Sequence, residues 1–309
     1  VTDIISAQDL VKTFGRNRAV DGVSFAVGEG EIFGFLGPNG AGKTTTTRML
    51  TGVIPPDSGT ATVLGHDIRK KPVLAKQGFG VVPETSNAYT DLSAWQNMML
   101  MGELYGLPRR LAEKRASDLL VTVGLLGNKE QKVQAYSKGM KQRLILAMAL
   151  VHDPKVLFLD EPTGGLDVQS TQMILSLLRD KNREGMTIFL TTHNMEEANR
   201  LCHRVAIIRH GKIVAIDAPE KLKMAIDRVH RIEVSFDRGV PGEALGEVSG
   251  VIAVNRIGDK YRLDVLSRDT AIRSLVAFAA SNNLQIVTLN TLAPTLDDAF
   301  LRLTQEGGS

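Results

Sequence analysis

Two periodicities divide the chain. Up to about residue 82 apolar positions alternate: Val23, Phe25 and Val27 form one set, and Thr60-Ala61-Thr62-Val63-Leu64 a second. Gly78 to Val82 is a third, shorter run. Alternation at period two predicts strands. Glu31-Ile32-Phe33-Gly34-Phe35-Leu36 is a further apolar run, and Pro55-Pro56-Asp57-Ser58-Gly59 is a turn cluster. From about 90 to 152 the period becomes helical. Leu111, Leu119, Leu120, Val123 and Leu126 are expected on helix faces, broken at Gly106-Leu107-Pro108 and at Gly124 to Asn128. Then come two apolar runs, Val156 to Leu159 and Met186 to Leu190. Between them Met173, Ile174, Leu177 and Leu178 mark a crossover helix. Continuous apolar strands alternating with helices imply an α/β fold whose parallel sheet is covered on both faces. Val205 to Ile208 and Lys212 to Ile216, joined at His210-Gly211, predict a closing hairpin.

The pattern restarts after Pro219. Ile232, Val234 and Phe236 alternate, then Tyr261, Leu263 and Val265. A helix around Ala271 to Ala280 and a strand near Leu284 to Leu289 follow. A last helix is expected from Pro294-Thr295, with Thr295 and Asp298 as a capping box. Two domains are therefore expected: residues 1–222, with a helical subdomain at about 88–152, and a small α+β domain over 228–309.

Composition narrows the class without naming it. The chain has 309 residues, 43% hydrophobic and 23% charged, ordinary for a folded protein long enough for two domains. A net charge of +3 offers no argument for nucleic acid. Cys202 is the single cysteine, so no intrachain disulfide forms, and a small core residue is the expected role. There is no apolar run long enough to span a membrane. The start VTDIISAQDL carries acids and no basic or long apolar region, so a signal peptide is not expected.

Candidate chemistry begins directly after the Glu31–Leu36 run. Gly37-Pro38-Asn39-Gly40-Ala41-Gly42-Lys43-Thr44-Thr45 matches the G-x-x-x-x-G-K-[ST] phosphate loop, with a strand before it and a helix-like stretch to Leu50 after it. Its glycines let successive N–H groups face phosphate oxygens. Lys43 is expected at the β- and γ-phosphates and the Thr44 hydroxyl on Mg²⁺. Val156 to Glu161 reads as a buried strand ending in two acids. Asp160 is placed to hold Mg²⁺ through water, and Glu161 to act as the base on an attacking water. A second buried strand ends at His193, beside the acids in this reading. Tyr136-Ser137-Lys138-Gly139-Met140-Lys141-Gln142-Arg143 opens a long helix running to Val151; its N-terminus suits an anion, or is an ordinary cap.

Together these parts resemble the ATP-binding cassette of ABC transporters, over residues 4 to about 218 and in family order. The loop is similar to Walker A, VLFLDEP (Val156–Pro162) to Walker B with catalytic Glu161, and YSKGMKQR to the signature. GGLD (Gly164–Asp167) is similar to the D-loop and His193 to the switch histidine. The resemblance implies a P-loop NTPase with a RecA-like core, an antiparallel β subdomain and a helical subdomain. It implies ATP hydrolysis with Mg²⁺, in a homo- or heterodimer closing head to tail. Ser137, Gly139 and Asp167 would then join the nucleotide site of another subunit. It also implies a separate transmembrane permease, which would hold the chain on the cytoplasmic side of the membrane. Tyr89, Trp95, Met98, Met99 and Met101 are candidates for the permease groove, with core packing as the alternative.

Three positions depart from the family pattern. Lys138 replaces a signature glycine. Glu84 stands where a glutamine usually ends the Q-loop and could still accept from a metal-bound water. Phe14 takes the place of a tyrosine stacking on adenine. These variants, with PTLDDAFLRLT (Pro294–Thr304), resemble the ABC-2 type, daunorubicin-resistance-like drug-efflux branch. The alternative is a non-transport cassette acting on nucleic acid or ribosomes, but no second cassette or long heptad insertion is present. A GTPase would need N-K-x-D, and Asn128-Lys129-Glu130-Gln131 lacks the final carboxylate.

Overall fold

In the computed structural model the first strands are long. β1 (Asp3–Phe14) and β2 (Asn17–Gly28) pair antiparallel, and β3 (Ile32–Leu36) leads into the phosphate loop and α1 (Lys43–Leu50). The residues described are 3–85, 88–225 and 230–305. They divide into two units, one up to Ala218 and one from Pro219. In the first, β4 (Ser58–Val63), β5 (His66–Asp67), α2 (Pro72–Gln77) and β6 (Phe79–Val82) follow α1. Helices α3 (Ala94–Leu104), α4 (Arg109–Thr122) and α5 (Lys138–Leu150) come next. β7 (Val156–Asp160), α6 (Val168–Arg183), β8 (Thr187–Thr192), α7 (Met195–Leu201), β9 (Arg204–Arg209) and β10 (Lys212–Asp217) complete it.

The central sheet has the order β10-β9-β3-β8-β7-β6. Every pair from β9 to β6 is parallel, and β10 closes the edge as an antiparallel hairpin. Every residue of β3, β7 and β8 is buried, as strands covered on both faces must be. His210 and Gly211 turn the hairpin with φ of 48° and 76°, the left-handed pair that a two-residue connection needs. A second sheet, β2-β1-β4-β5, is antiparallel. Phe25 of β2 stacks on Phe33 of β3 at 5.4 Å and on Phe189 of β8 at 5.8 Å, so aromatic packing joins the two sheets.

The helical segment keeps part of the expected faces, with Leu120 and Val123 buried, and departs from the rest. Ala112, Ala116 and Leu120 form the buried stripe of α4, while Leu111 and Leu126 are more than a third exposed. Close approach explains this: a Cβ on Gly102 of α3 would lie 2.8 Å from that of Ala112. Small residues therefore occupy the contact, and the leucines flank it. Met98 is fully buried and belongs to the core, not to a groove.

The second unit begins with α8 (Pro219–Ala225), followed by β11 (His230–Phe236), α9 (Gly242–Gly246), β12 (Val251–Ile257) and β13 (Lys260–Val265). α10 (Arg268–Ser281), β14 (Ile286–Leu292) and α11 (Leu296–Gln305) end it. Its sheet, β12-β13-β11-β14, is antiparallel throughout. Ile232, Val234, Tyr261, Leu263 and Val265 are buried in its core with Leu275 of α10. Two expectations need correction. α8 packs with α11, so the boundary lies at Ala218/Pro219 and not at 222. Strand β12 was not expected from sequence, because most of its residues are exposed and it shows little alternation. The Thr295/Asp298 box is present: Thr295 N–H donates to Asp298 Oδ2 at 3.0 Å, and Asp298 N–H to Thr295 Oγ1 at 3.2 Å.

Candidate active site at the phosphate loop

Gly37 to Gly42 can follow their path only as a loop with glycines at fixed places. A Cβ on Gly37 would lie 2.5 Å from the Ile208 carbonyl oxygen. One on Gly42 would lie 2.4 Å from that of Ala19, and Gly42 also has φ of 109°. The β9–β10 turn supports the loop from behind, with Gly211 N–H donating to the Ala41 carbonyl at 3.0 Å. Lys43 opens α1 and is 6% exposed. Its Nζ donates to the carbonyls of Gly37 at 2.7 Å and Pro38 at 3.2 Å, and lies 3.3 Å from Glu161 Oε1.

A cavity of 410 Å³ opens at this point. Phe14, Pro38, Asn39, Gly40, Gly42, Lys43, Thr44, Thr45, Glu84 and Glu161 line it, joined by Asn17 and Ala19. The last two escaped the sequence reading. Their signal was weak, since they are short polar and small residues after the Phe14 strand. Phe14 presents a half-exposed ring with Lys12 Nζ at 5.8 Å from its centroid.

Two acids close the inner side. Asp160, 5% exposed, accepts from Thr44 Oγ1 at 3.3 Å and from Thr191 Oγ1 at 2.5 Å. Glu161 has φ of 51°, a left-handed backbone that a non-glycine residue holds only where its surroundings impose it. Its N–H donates to the Thr191 carbonyl at 3.1 Å and to Thr191 Oγ1 at 3.2 Å. Glu161 Oε2 lies 2.8 Å from His193 Nδ1 and also accepts from His193 N–H at 3.4 Å. A carboxylate only accepts, so Nδ1 carries the proton. Glu161 Oε1 is buried with no hydrogen bond, and its nearest cation is Lys43. The site thus holds one carboxylate oxygen in place and leaves the other able to accept a proton.

The structure does not bring every expected residue to this cavity. Ser137 caps α5, its Oγ accepting from Met140 N–H at 3.2 Å. Gly139 sits against α6, where a Cβ would lie 2.4 Å from Ser170 Oγ. Asp167 caps α6, accepting from Ser170 N–H and Oγ, both at 2.8 Å. Those bonds hold its carboxyl below the usual range. Lys138 Nζ donates to the Gly164 carbonyl at 2.7 Å, tying the start of α5 to the segment before α6. Ser137, Gly139 and Asp167 thus form one face, outside the cavity lining.

The comparisons with known proteins place the chain in a family. The family model described as ABC transporter matches residues 20–164. The linearmycin resistance ATP-binding protein of Bacillus subtilis is 37% identical, and the match covers 97% of this chain and 98% of that protein. This chain belongs to the ABC transporter ATP-binding family. The Nod factor export ATP-binding protein I of Paraburkholderia xenovorans is 45% identical, covering 68% of this chain and 69% of that protein. Its namesake from Rhizobium etli is 37% identical over 97% of this chain and 93% of its own length. Among solved structures, the ATP-binding subunit of an ABC transporter aligns with a TM-score of 0.67 at 27% identity, covering 72% of this chain and 92% of that one. Another, cbiO1 from Clostridium perfringens, part of an ABC transporter complex, gives 0.66 at 27%, covering 73% and 92%.

The cassette is therefore an ATPase of the ABC type. A role on nucleic acid finds no support in these matches. Asn128–Gln131, the near-match to a guanine-reading motif, is absent from the cavity lining; Lys129 instead lies 4.9 Å from the Trp95 ring centroid. Cys202 is buried against Gly34, as a core residue, and burial pushes its thiol pKa up.

Proposed function

We propose that this cassette is the motor subunit of an exporter, hydrolysing ATP to drive a separate permease of ABC-2 type. Relatives named for linearmycin resistance and Nod factor export match along nearly all of both units, which supports export over import. Among the described residues no helix is long and apolar enough to cross a membrane. Attachment at the cytoplasmic face through the permease suits such a chain. Trp95 and Met99 line a 660 Å³ cavity with Leu100 and Leu107, a surface of the kind a permease helix could enter.

The observation that carries the catalytic reading is the held Glu161 side chain. His193 fixes Oε2, and Oε1 is the base. As water attacks the γ-phosphorus, Oε1 takes its proton while the bond to the bridging oxygen breaks, giving ADP and phosphate. Lys43 neutralises charge on the phosphate oxygens, exchanging its Gly37, Pro38 and Glu161 contacts for them. Thr44 and Asp160 fit Mg²⁺: a hydroxyl and a carboxylate oxygen 3.3 Å apart are hard donors. Among the described residues no group of three or more His, Cys, Asp or Glu forms a metal cage. One carboxylate plus phosphate oxygens suits Mg²⁺, and Glu84 lines the same cavity. The ion would supply charge neutralisation on the transferred group.

Ser137, Gly139 and Asp167 lie together on another face, which suits delivery to a second subunit's nucleotide. Lys138, bound to Gly164, would carry the signature and D-loop in as one piece. The test uses Glu161→Gln with MgATP on a sizing column. The expected result is conversion to a dimer, abolished by Ser137→Arg while nucleotide binding persists. A variant that stays monomeric at saturating MgATP, or a dimer indifferent to Ser137→Arg, overturns the composite site.

A further inference from the structure

We propose that Thr191 is a positioning residue for both acids, fixing where Asp160 and Glu161 present their oxygens. This deepens the catalytic reading above and rests on it. Thr191 is fully buried at the end of β8, paired with Asp160 of β7 on one side and Phe35 of β3 on the other. Its backbone position is therefore set by two parallel ladders.

A hydroxyl has one proton to give. Thr191 gives it to Asp160 Oδ1 at 2.5 Å, since a carboxylate cannot donate. Its lone pairs are then left for Glu161 N–H at 3.2 Å. That same N–H reaches the Thr191 carbonyl at 3.1 Å, so one residue holds the left-handed backbone of Glu161 at two points. The Thr44 hydroxyl converges on the same Oδ1 from the phosphate-loop side at 3.3 Å. Asp160 is thus held between two hydroxyls, one from α1 and one from β8.

The neighbouring threonines show that this is not the generic behaviour of the strand. Thr187 accepts from Gly30 N–H at 2.9 Å, and Thr192 from Asn194 N–H at 2.9 Å, both in connecting turns. Only the Thr191 hydroxyl, of the three, meets the acids. Its β-branch restricts the rotamer, which makes the aim of the hydroxyl reproducible.

Thr191→Val keeps shape and branching and removes the hydroxyl. Glu161 N–H keeps the Thr191 carbonyl, so the backbone survives, but Asp160 Oδ1 loses its short bond. The experiment measures kcat and KM, and the affinity for a non-hydrolysable ATP analogue in magnesium and in EDTA. The expected result for Thr191→Val is a fall in kcat of about ten- to a hundredfold, from losing a hydrogen bond to a charged group. The gain in affinity that magnesium brings should shrink about fivefold or more, with the affinity in EDTA within about twofold. Thr191→Ser should recover most of both. Should Thr191→Val not fold, Thr191→Ala carries the same readouts.

A kcat and a magnesium gain both near wild type overturn the proposal. So does an equal loss of affinity with and without magnesium, the sign of general loosening, or a serine variant no better than valine. Failure of the base reading is separately visible: an active Glu161→Gln refutes that reading, while the magnesium readout through Asp160 still decides the role of Thr191.

Discussion

Glu161→Gln separates proton acceptance from every other role of that side chain. The amide oxygen can still accept from His193 Nδ1 in place of Oε2, now at 2.8 Å, and the left-handed backbone is untouched. What disappears is the negative charge and the basic oxygen. Loss of a positioned general base costs about 10²- to 10⁴-fold, or roughly 3–5 kcal/mol of barrier. Affinity should move the other way. Glu161 Oε1 competes with phosphate for Lys43 Nζ at 3.3 Å. Coulomb's law at an effective dielectric near 20 gives roughly 5 kcal/mol of gross attraction at that range. Desolvation of both groups offsets most of it, leaving on the order of 1 kcal/mol, or about fivefold tighter ATP. Phosphate release under saturating MgATP reads the first effect, and equilibrium binding of a fluorescent nucleotide reads the second. A kcat within about tenfold of wild type refutes Glu161 as the base. Weaker binding refutes the competition for Lys43.

Gly42→Ala puts a Cβ 2.4 Å from the Ala19 carbonyl oxygen at φ of 109°; nucleotide affinity should fall at least about tenfold, checked by the same binding assay. Asn97 is fully buried and bonds both N–H and C=O of Tyr89, so Asn97→Ala should cost about 2–3 kcal/mol in urea unfolding. His152 stacks on Tyr105 at 3.6 Å and bonds the Phe79 carbonyl, and burial pulls its pKa down to about 4. The unfolded chain then binds the proton first, so stability is full above about pH 6.5 and declines as pH falls toward 4. Discounted for its solvent-facing part, the loss from pH 7 to pH 5 is about 1 kcal/mol, and His152→Phe should flatten that portion of the profile.

What the sequence made legible was contiguous or local. The phosphate loop, the acids after one apolar run and His193 after another each announce themselves within a few residues. So do the cap at Ser137, the turn at His210-Gly211 and the Thr295/Asp298 box, because their hydrogen bonds join residues near each other in sequence. The misses are spatial. Ala112 rather than Leu111 faces α3 because Gly102 and Ala112 nearly touch, and no pattern within α4 reveals a neighbour that close. Met98 and Met99 are adjacent and look alike, yet one is core and the other lines a cavity. Thr191 reads as a strand residue until β7 is placed beside it.

Strand order explains why the site assembles at all. β8 follows β3 and β7 in sequence but lies between them in the sheet, with all three parallel. Their C-terminal ends therefore share one edge, and the loop, the acids and His193 meet there. Register must then be right to the residue, because a slip of one in β8 would swap Thr191 for Thr192 against Asp160. Burial on both faces removes the usual inside–outside signal that selects register. The choice is made at the other end of the strand. Thr187 N–H bonds the Lys155 carbonyl, its hydroxyl accepts from Gly30, and Ile188 N–H bonds the Glu31 carbonyl. Two residues later Phe189 locks among Phe25, Phe33 and Phe35. The hydrophobic run that marks β8 in the sequence is thus also what aims the Thr191 hydroxyl, and a defect at Thr187 or Phe189 should reach the acids through the strand.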